Sequence, residues 1–334
     1  MAFTPSVDYL GIFGDGSNGD ATWTTDQLLD ADREYNNLTI NSGNHNTAGF
    51  MLRVRGTLTL NGGKLLDEGD PGDDGQTVAG NINLSTKTAG GSGDVGTGWL
   101  RRIKYAGGSG GAAKTTADAQ SNGDQGNGSS ADGNYAPTYE TDFYGGGAGG
   151  NSGYGGSTYG QGGDSNSPGI PVATSNNLFL ASIAKQRNTD DTENFCDIGG
   201  GAGGAGGGGY PRNGTAAEKK GSGGGGGGGG GLIWIAARKI VVNGTLEISA
   251  KGGDGGDGQN ATAAISPVGY PGAGGGGGGG GTIIVICEQA FGWNPSGGYP
   301  TLNVNGGNGG SGTTAGTNVG TDGEAGKSYV YILT

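Results

Sequence analysis

The sequence is short of charge, of hydrophobic residues and of long apolar runs. Charged residues make up 14% of its 334 residues, and hydrophobic residues make up 31%. The longest aliphatic and aromatic run covers residues 232–237, well below the roughly 20 residues that a membrane-spanning helix needs. The opening residues lack a basic start followed by an apolar stretch, so we expect no secretory signal peptide.

Other shortages exclude further classes of protein. Lys and Arg total 18 against 30 Asp and Glu, a net charge of -12, which argues against nucleic-acid binding. The single histidine, His45, excludes a zinc site of several histidines, and we interpret it as a surface residue outside any catalytic triad. Cys196 and Cys287 are too few for a disulfide framework, and each is expected to be a small buried hydrophobic residue.

Glycine is what the sequence has in excess. It accounts for 86 residues, several times the usual share of about 7%. Residues 223–231 and 274–281 are unbroken glycine, which excludes the every-third-residue glycine of collagen. Flexible linkers are the remaining alternative. The longest runs lead directly into the most apolar segments, which favours an ordered structure over a linker.

Seven glycine-rich segments predict a lattice of polyglycine II helices. Such a helix has three residues per turn and no internal hydrogen bonds, so each buried N–H and C=O group needs a partner on a neighbouring run. Without Cβ atoms the backbones can approach closely, and Cα–H···O contacts add to the N–H···O bonds. The segments are residues 107–111, 145–150, 199–209, 221–231, 252–258, 272–281 and 306–312.

Alternating apolar residues predict short β-strands around these runs. The expected strands are residues 35–40, 50–55, 56–60, 232–237, 282–286 and 329–333. Two of them, 232–237 and 282–286, are apolar on both faces and should be buried centrally. An internal repeat aligns Gly56-Thr-Leu-Thr-Leu60 with Gly244-Thr-Leu-Glu-Ile248, and residues 301–304 form a weaker third copy.

The predicted fold class is therefore all-β. It combines short β-strands in a solenoid-like or sandwich-like arrangement with a sandwich of polyglycine II helices. Four regions follow from the changes in composition: an N-terminal attachment segment (1–34), a β region (35–106), a Gly/Ser/Tyr-rich loop region (107–198), and a polyglycine-helix and β-strand region (199–334).

Three motifs carry a resemblance to a known family. Phe13-Gly-Asp-Gly-Ser-Asn-Gly-Asp20, Tyr35-Asn-Asn-Leu-Thr-Ile-Asn-Ser-Gly43 and Leu52-Arg-Val-Arg-Gly-Thr-Leu-Thr-Leu-Asn-Gly62 resemble the glycine-rich minor tail and tail-fibre proteins of tailed bacteriophages. The glycine runs are similar to those of T-even-like phage distal adhesins, in which stacked glycine helices carry receptor-binding loops. The resemblance implies a virion protein that is assembled in the host cytoplasm and exposed outside the cell.

The expected function is host-cell attachment through displayed loops. Tyrosine among Ser, Gly and Asn is typical of adaptable recognition surfaces, although the same rings could instead cover the edges of the glycine lattice. The expected partners are other tail or fibre proteins, a host-cell glycan or outer-membrane protein, and further copies of the chain, a trimer by analogy. The receptor-binding candidates are Tyr135, Tyr139, Tyr144, Tyr154, Tyr159, Tyr210, Tyr270, Trp293 and Tyr299.

No catalytic motif is present, so we expect a non-enzymatic protein. The alternatives are a purely structural capsid-decoration or fibre protein without a receptor and, less favoured, a glycan-cleaving tailspike using carboxylates such as Asp73 and Asp74.

No cofactor is expected. Calcium is the one candidate metal, because tight turns in the sequence carry hard oxygen ligands. The candidate calcium ligands are Asp70, Asp73, Asp74, Asp254 and Asp257.

Overall fold

The computed structural model describes residues 11–75, 77–78, 152–154, 157–160, 220–259, 272–294, 300–312 and 319–333. Within these ranges all regular secondary structure is β-strand, and no helix is present. In chain order the strands are β1 (Asp20–Trp23), β2 (Gln27–Leu28), β3 (Arg33–Tyr35), β4 (Asn37–Ile40), β5 (Asn44–Asn46), β6 (Met51–Leu60), β7 (Gly63–Leu66), β8 (Thr77–Val78), β9 (Ser152–Tyr154), β10 (Ser157–Gly160), β11 (Lys220–Gly221), β12 (Leu232–Val242), β13 (Leu246–Ser249), β14 (Thr282–Phe291), β15 (Thr301–Asn303) and β16 (Lys327–Ile332).

Two sheets of parallel strands form the frame. Sheet 1 has seven strands in the order β1-β4-β6-β12-β14-β16, with β3 also paired to β6, and sheet 2 has five in the order β15-β13-β7-β5-β2. Every pair in these two sheets is parallel. The chain passes from sheet 1 to sheet 2 at β1–β2, β4–β5, β6–β7, β12–β13 and β14–β15, and it returns directly to sheet 1 at β2–β3 and β5–β6. Two small antiparallel pairs, β8 with β11 and β9 with β10, lie outside these sheets.

Sheet 1 is apolar on both of its faces. The face toward sheet 2 carries residues such as Leu52 and Ile235, which belong to one core cluster together with Leu65 of sheet 2. On the opposite face Trp234 packs in a second cluster with Phe13, a residue that precedes the first strand. A strand with two apolar faces needs cover on both sides, which explains why the longest strands lie in the interior of this sheet.

The strand positions are confirmed for the longest elements. β12 and β14 begin directly after the glycine runs, and the first six residues of each strand are buried. Each lies between two other strands of sheet 1, as central burial of residues 232–237 and 282–286 requires. β16 covers most of the strand expected at residues 329–333.

The glycine runs form an array that continues from the sheets. Three outgoing runs, residues 67–75, 250–259 and 304–312, follow strands β7, β13 and β15 of sheet 2. Two incoming runs, residues 222–231 and 272–281, lead into β12 and β14 of sheet 1, and a third, residues 319–326, leads into β16. We refer to these six runs together as the glycine array.

Backbone hydrogen bonds join the runs at three-residue intervals. Among the incoming runs, the N–H of Gly224 donates to the carbonyl of Ala273, and the same pairing recurs from Gly227 to Gly276 and from Gly230 to Gly279. These partner numbers rise together, so neighbouring incoming runs are parallel.

The outgoing row is built in the same way. Gly69 donates to the carbonyl of Lys251, and Gly72 donates to that of Asp254. Between the rows the direction reverses, because Gly225 and Gly228 donate to Asp73 and Asp70 in descending order. The array therefore has two antiparallel rows of parallel runs.

The glycine content of a run follows how deeply the run is buried. Run 319–326 is mostly exposed and has glycine at every third position, whereas run 250–259 is partly buried and has five glycines in ten residues. The inner runs 222–231 and 272–281 are buried throughout and are almost entirely glycine. A Cβ at Gly278, for example, would lie 2.0 Å from the carbonyl oxygen of Gly228.

The fold class expected from the sequence is wrong. The expectation was short strands, solenoid-like or sandwich-like, with a polyglycine II sandwich. It fails in its sheets, because the frame is two sheets of parallel strands that include strands of ten and eleven residues. One reason is Gly56, which the sequence suggested as a break between two strands. It lies inside β6, and its Cβ position would be 2.5 Å from Asn37 Oδ1, so glycine is needed there for close approach to the next strand.

The alignment of the internal repeat was also wrong. Residues 56–60 belong to β6 of sheet 1, whereas residues 246–249 form β13 of sheet 2. β13 instead pairs with β7, placing Ile248 beside Leu65. The two segments look alike because strands in both sheets alternate apolar and polar residues next to an Asn-Gly corner.

The lone histidine is buried, contrary to its interpretation as a surface residue. His45 has no exposed surface, its ring lies 4.8 Å from the ring of Trp23, and its Nε2 is 3.0 Å from the carbonyl oxygen of Ser42. Burial lowers the pKa of His45 below its usual 6.5, against the opposing effects of the Ser42 carbonyl and Asp26. The expectation for Cys287 is confirmed, since it is a buried free cysteine in the main core.

The close approach of the runs predicts that Gly278→Ala is severely destabilising. The new methyl group would meet the backbone of residues 227–228, which cannot move aside as a side chain can, so we expect a loss of about 3 kcal/mol or more in unfolding free energy. The matched control is Ser311→Ala, because Ser311 is exposed on an outer run and should change stability by less than about 0.5 kcal/mol. Urea unfolding measures both, and equal effects would contradict this packing.

The buried histidine predicts a pH-dependent stability. Because the pKa of His45 is lower in the folded protein, the unfolded chain binds the proton more readily, and stability falls as the pH drops below about 6.5. The slope from this residue is at most about 1.4 kcal/mol per pH unit. The control is His45→Gln, and urea unfolding between pH 7.5 and 5.5 should show a shallower slope in this variant. Identical slopes would rule out the contribution of His45.

Candidate functional site

The candidate site is the end of the glycine array that lies farthest from the sheets, which we call the open end. The outgoing runs reach it at Gly75, Gln259 and Gly312, and the incoming runs start from it at Ser222 and Gly272. Residues 76–221, 260–271 and 313–318, the segments that join outgoing to incoming runs, therefore all leave and re-enter the array at this end.

Hydrogen bonds hold the chain ends together at the open end. The N–H of Gln259 donates to the carbonyl of Ser222 at 3.2 Å, and the N–H of Gly272 donates to the carbonyl of Gln259 at 3.1 Å. Gly75 donates to Asp257 at 2.7 Å, and Gly320 donates to Gly310 at 3.0 Å. These hydrogen bonds hold the two ends of each connecting segment close together. We call this bonded end of the array the hydrogen-bonded base.

Most of the predicted receptor-binding residues lie outside the described residues. Tyr154 and Tyr159 belong to β9 and β10, of which only the backbone pairing is described. Trp293 follows β14, at the sheet end rather than the open end, and is half-buried against the main core. The predicted residues outside the described ranges are Tyr135, Tyr139, Tyr144, Tyr210, Tyr270 and Tyr299.

The acidic residues suggested as calcium ligands accept backbone N–H groups of the next run. Asp254 Oδ1 accepts from the N–H of Asn308 at 2.7 Å and lies 3.0 Å from Nζ of Lys251. Asp257 Oδ1 accepts from the N–H of Ser311 at 2.6 Å, and Asp74 Oδ1 accepts from the N–H of Asp257 at 2.9 Å.

Asp70 and Asp73 contribute their main-chain carbonyls, which accept from Gly228 and Gly225. Among the residues with described side chains, no group of three or more His, Cys, Asp and Glu lies close enough together to hold a metal ion.

Sequence reasoning missed this bridging role of the carboxylates. The signal was present as a three-residue repeat in which two glycines precede an aspartate, at Asp254 and Asp257. The next run has Asn308 and Ser311 at the matching positions, and their backbone N–H groups donate to these carboxylates. Such aspartates point outward from the array, where a side-chain oxygen can reach the N–H of the neighbouring run. The same arrangement recurs in the sheets, where Asp26 Oδ1 accepts from the N–H of Asn44.

The bridging carboxylates predict a measurable effect on stability. Asp254→Ala removes the acceptor for the N–H of Asn308 and the partner of Lys251, and we expect it to lower the unfolding free energy by about 1 kcal/mol. Asp70→Ala is the matched control, since only the main chain of Asp70 bonds to the described runs. Urea unfolding compares the two variants, and a loss in Asp70→Ala as large as that in Asp254→Ala would contradict the bridging role.

Comparison with known proteins leaves the family of this chain open. No protein-family model, no curated protein and no solved structure matches it. No helix in the described ranges is long and apolar enough to span a membrane. The similarity to phage tail proteins therefore stays a prediction that rests on the sequence motifs.

Proposed function

We propose that this chain is a non-enzymatic phage virion protein of the tail fibre or tail tip that attaches to host cells. Its recognition loops would be the segments that leave and re-enter the glycine array at the open end. The observation that supports this most directly is the shared position of the described ends, at Gly75, Gln259, Ser222 and Gly272, on one hydrogen-bonded base.

A rigid base suits this function for an energetic reason. Binding by a loop is weakened by the entropy that is lost when the loop becomes ordered, so anchoring both of its ends reduces that cost. The inner runs of the array are buried, and their N–H groups bond to neighbouring runs at three-residue intervals. The tyrosines of the connecting segments, with Ser, Gly and Asn around them, would then provide the contact surface for a glycan or an outer-membrane protein.

The proposal includes assembly with other tail or fibre proteins and with further copies of the chain, in a virion built in the host cytoplasm and exposed outside it. It needs no cofactor. Calcium would be an addition at Asp70, Asp73, Asp74, Asp254 or Asp257, and loss of cell binding in a chelator would support it. The carboxylates of Asp254 and Asp257 already accept backbone N–H groups, so the array does not depend on a metal to hold them.

Two Tyr-Pro pairs provide a matched test. Tyr270-Pro271 comes directly before Gly272 at the open end, whereas Tyr299-Pro300 comes directly before β15 at the sheet end. We expect Tyr270→Ala to weaken the binding of fluorescently labelled protein to host cells by about tenfold, in the range of a buried aromatic contact. Tyr299→Ala should bind as the wild type does, and adsorption of the phage should be blocked by wild-type protein.

The other outcomes separate the alternatives. Folded wild-type protein that binds none of the hosts of the parent virus would contradict the attachment function and favour a structural fibre or decoration protein. Release of reducing sugar from host polysaccharide, lost in Asp73→Ala or Asp74→Ala, would favour a tailspike enzyme. Equal loss of binding in both tyrosine variants would contradict the assignment of recognition to the open end.

A further inference from the structure

Sheet 1 has β1 at one edge and β16 at the other, and the two edges differ in exposed apolar surface and in charge. β16 is the last strand of sheet 1 and pairs with β14, and no later strand follows it in the described part of the chain. The N–H groups of Lys327 and Leu333 donate to Gly281 and Cys287 on the β14 side. Because backbone groups alternate in direction along a strand, the N–H and C=O groups of Ser328, Val330 and Ile332 point away from β14, toward the free edge.

This end of the molecule also exposes apolar surface. Ile332 is 53% exposed and Val319, at the start of the last incoming run, is 50% exposed. Val330, Leu302 and Val304 pack against the main core but are only partly buried, because no strand of sheet 2 follows β16 among the described residues. The core is therefore open at this end. At the other end Leu28 of β2 is exposed, but Trp23 in the first strand is buried and closes the core.

The two ends also differ in charge. Residues 11–46, at the β1 end, carry six acidic side chains and one arginine, while residues 300–312 and 319–333, at the β16 end, carry Asp322, Glu324 and Lys327. Natural proteins protect free strand edges with charged residues, and an uncharged apolar edge is a place for another strand to pair. β16 has a single charged residue, Lys327, at its start.

We propose that the β16 end binds the same end of a second copy of this chain, with the two β16 strands pairing antiparallel about a two-fold axis. An antiparallel pair of identical strands is self-complementary and closes at two copies. Contact between two β1 ends would bring together two surfaces that stay net negative after Asp30 and Glu34 pair with Arg33 and Arg53. Head-to-tail stacking would set the acidic β1 end against Asp322 and Glu324, and it would grow without limit. The nearly neutral β16 end has the least repulsion when it meets itself.

The experiment is sedimentation equilibrium of the full chain with two variants of Ile332. Ile332→Lys puts a charge in the edge contact, and Ile332→Pro removes an N–H that points away from β14, so neither change removes a bond within the sheet. We expect a wild-type dimer and a rise of about tenfold or more in the dissociation constant of both variants. Circular dichroism should show unchanged strand content.

The control is Leu28→Lys, the same change at a residue that is 66% exposed near the other end. It should leave the dimer intact. A wild-type chain that stays monomeric up to about 100 µM, a trimer, or assemblies that grow with concentration would each overturn the proposal. A dimer that Leu28→Lys dissociates and the Ile332 variants do not would also overturn it, by assigning the contact to the other end.

Discussion

The structure depends on backbone hydrogen bonds between glycine runs that have no side chains between them. Ordering glycine costs more conformational entropy than ordering any other residue, and an extended run has no hydrogen bonds of its own. Both costs are offset only where the neighbouring runs are close enough to accept every third N–H, as from Gly224, Gly227 and Gly230 to the adjacent run. The glycine excess is therefore a requirement of the spacing between backbones.

The sheets and the array stabilise one another through a shared register. Each incoming run leads into a strand of sheet 1, and each outgoing run continues from a strand of sheet 2. The parallel pairing of β7 with β13 passes directly into the bonds from Gly69 and Gly72 to the next run. The apolar core fixes the position of the strands, and the strands in turn place the runs at hydrogen-bonding distance. The hydrogen bonds at the open end continue this register.

Local features of the sequence predicted the strands but not their pairing. The unbroken apolar residues that begin β12 and β14 show burial on both faces, and the structure confirms this. The parallel partners, such as Met51 beside Trp234, are far apart in the chain, and strand spacing contains no information about them.

At the candidate site, the polar residues that follow glycine pairs were visible in the sequence. Their role as acceptors for the next run was not, because it depends on the distance between runs. The burial of His45 beneath Trp23 depends on tertiary packing in the same way.

Hydrogen exchange of the incoming runs tests the central claim most directly. If two of every three N–H groups in residues 224–230 bond to neighbouring runs, peptides from this region should exchange about as slowly as those from β12, about a thousandfold or more below the rate of an unstructured chain. Exchange at the rate of a flexible linker, with β12 still protected, would contradict the account by showing that the glycine runs are not part of the cooperatively folded structure.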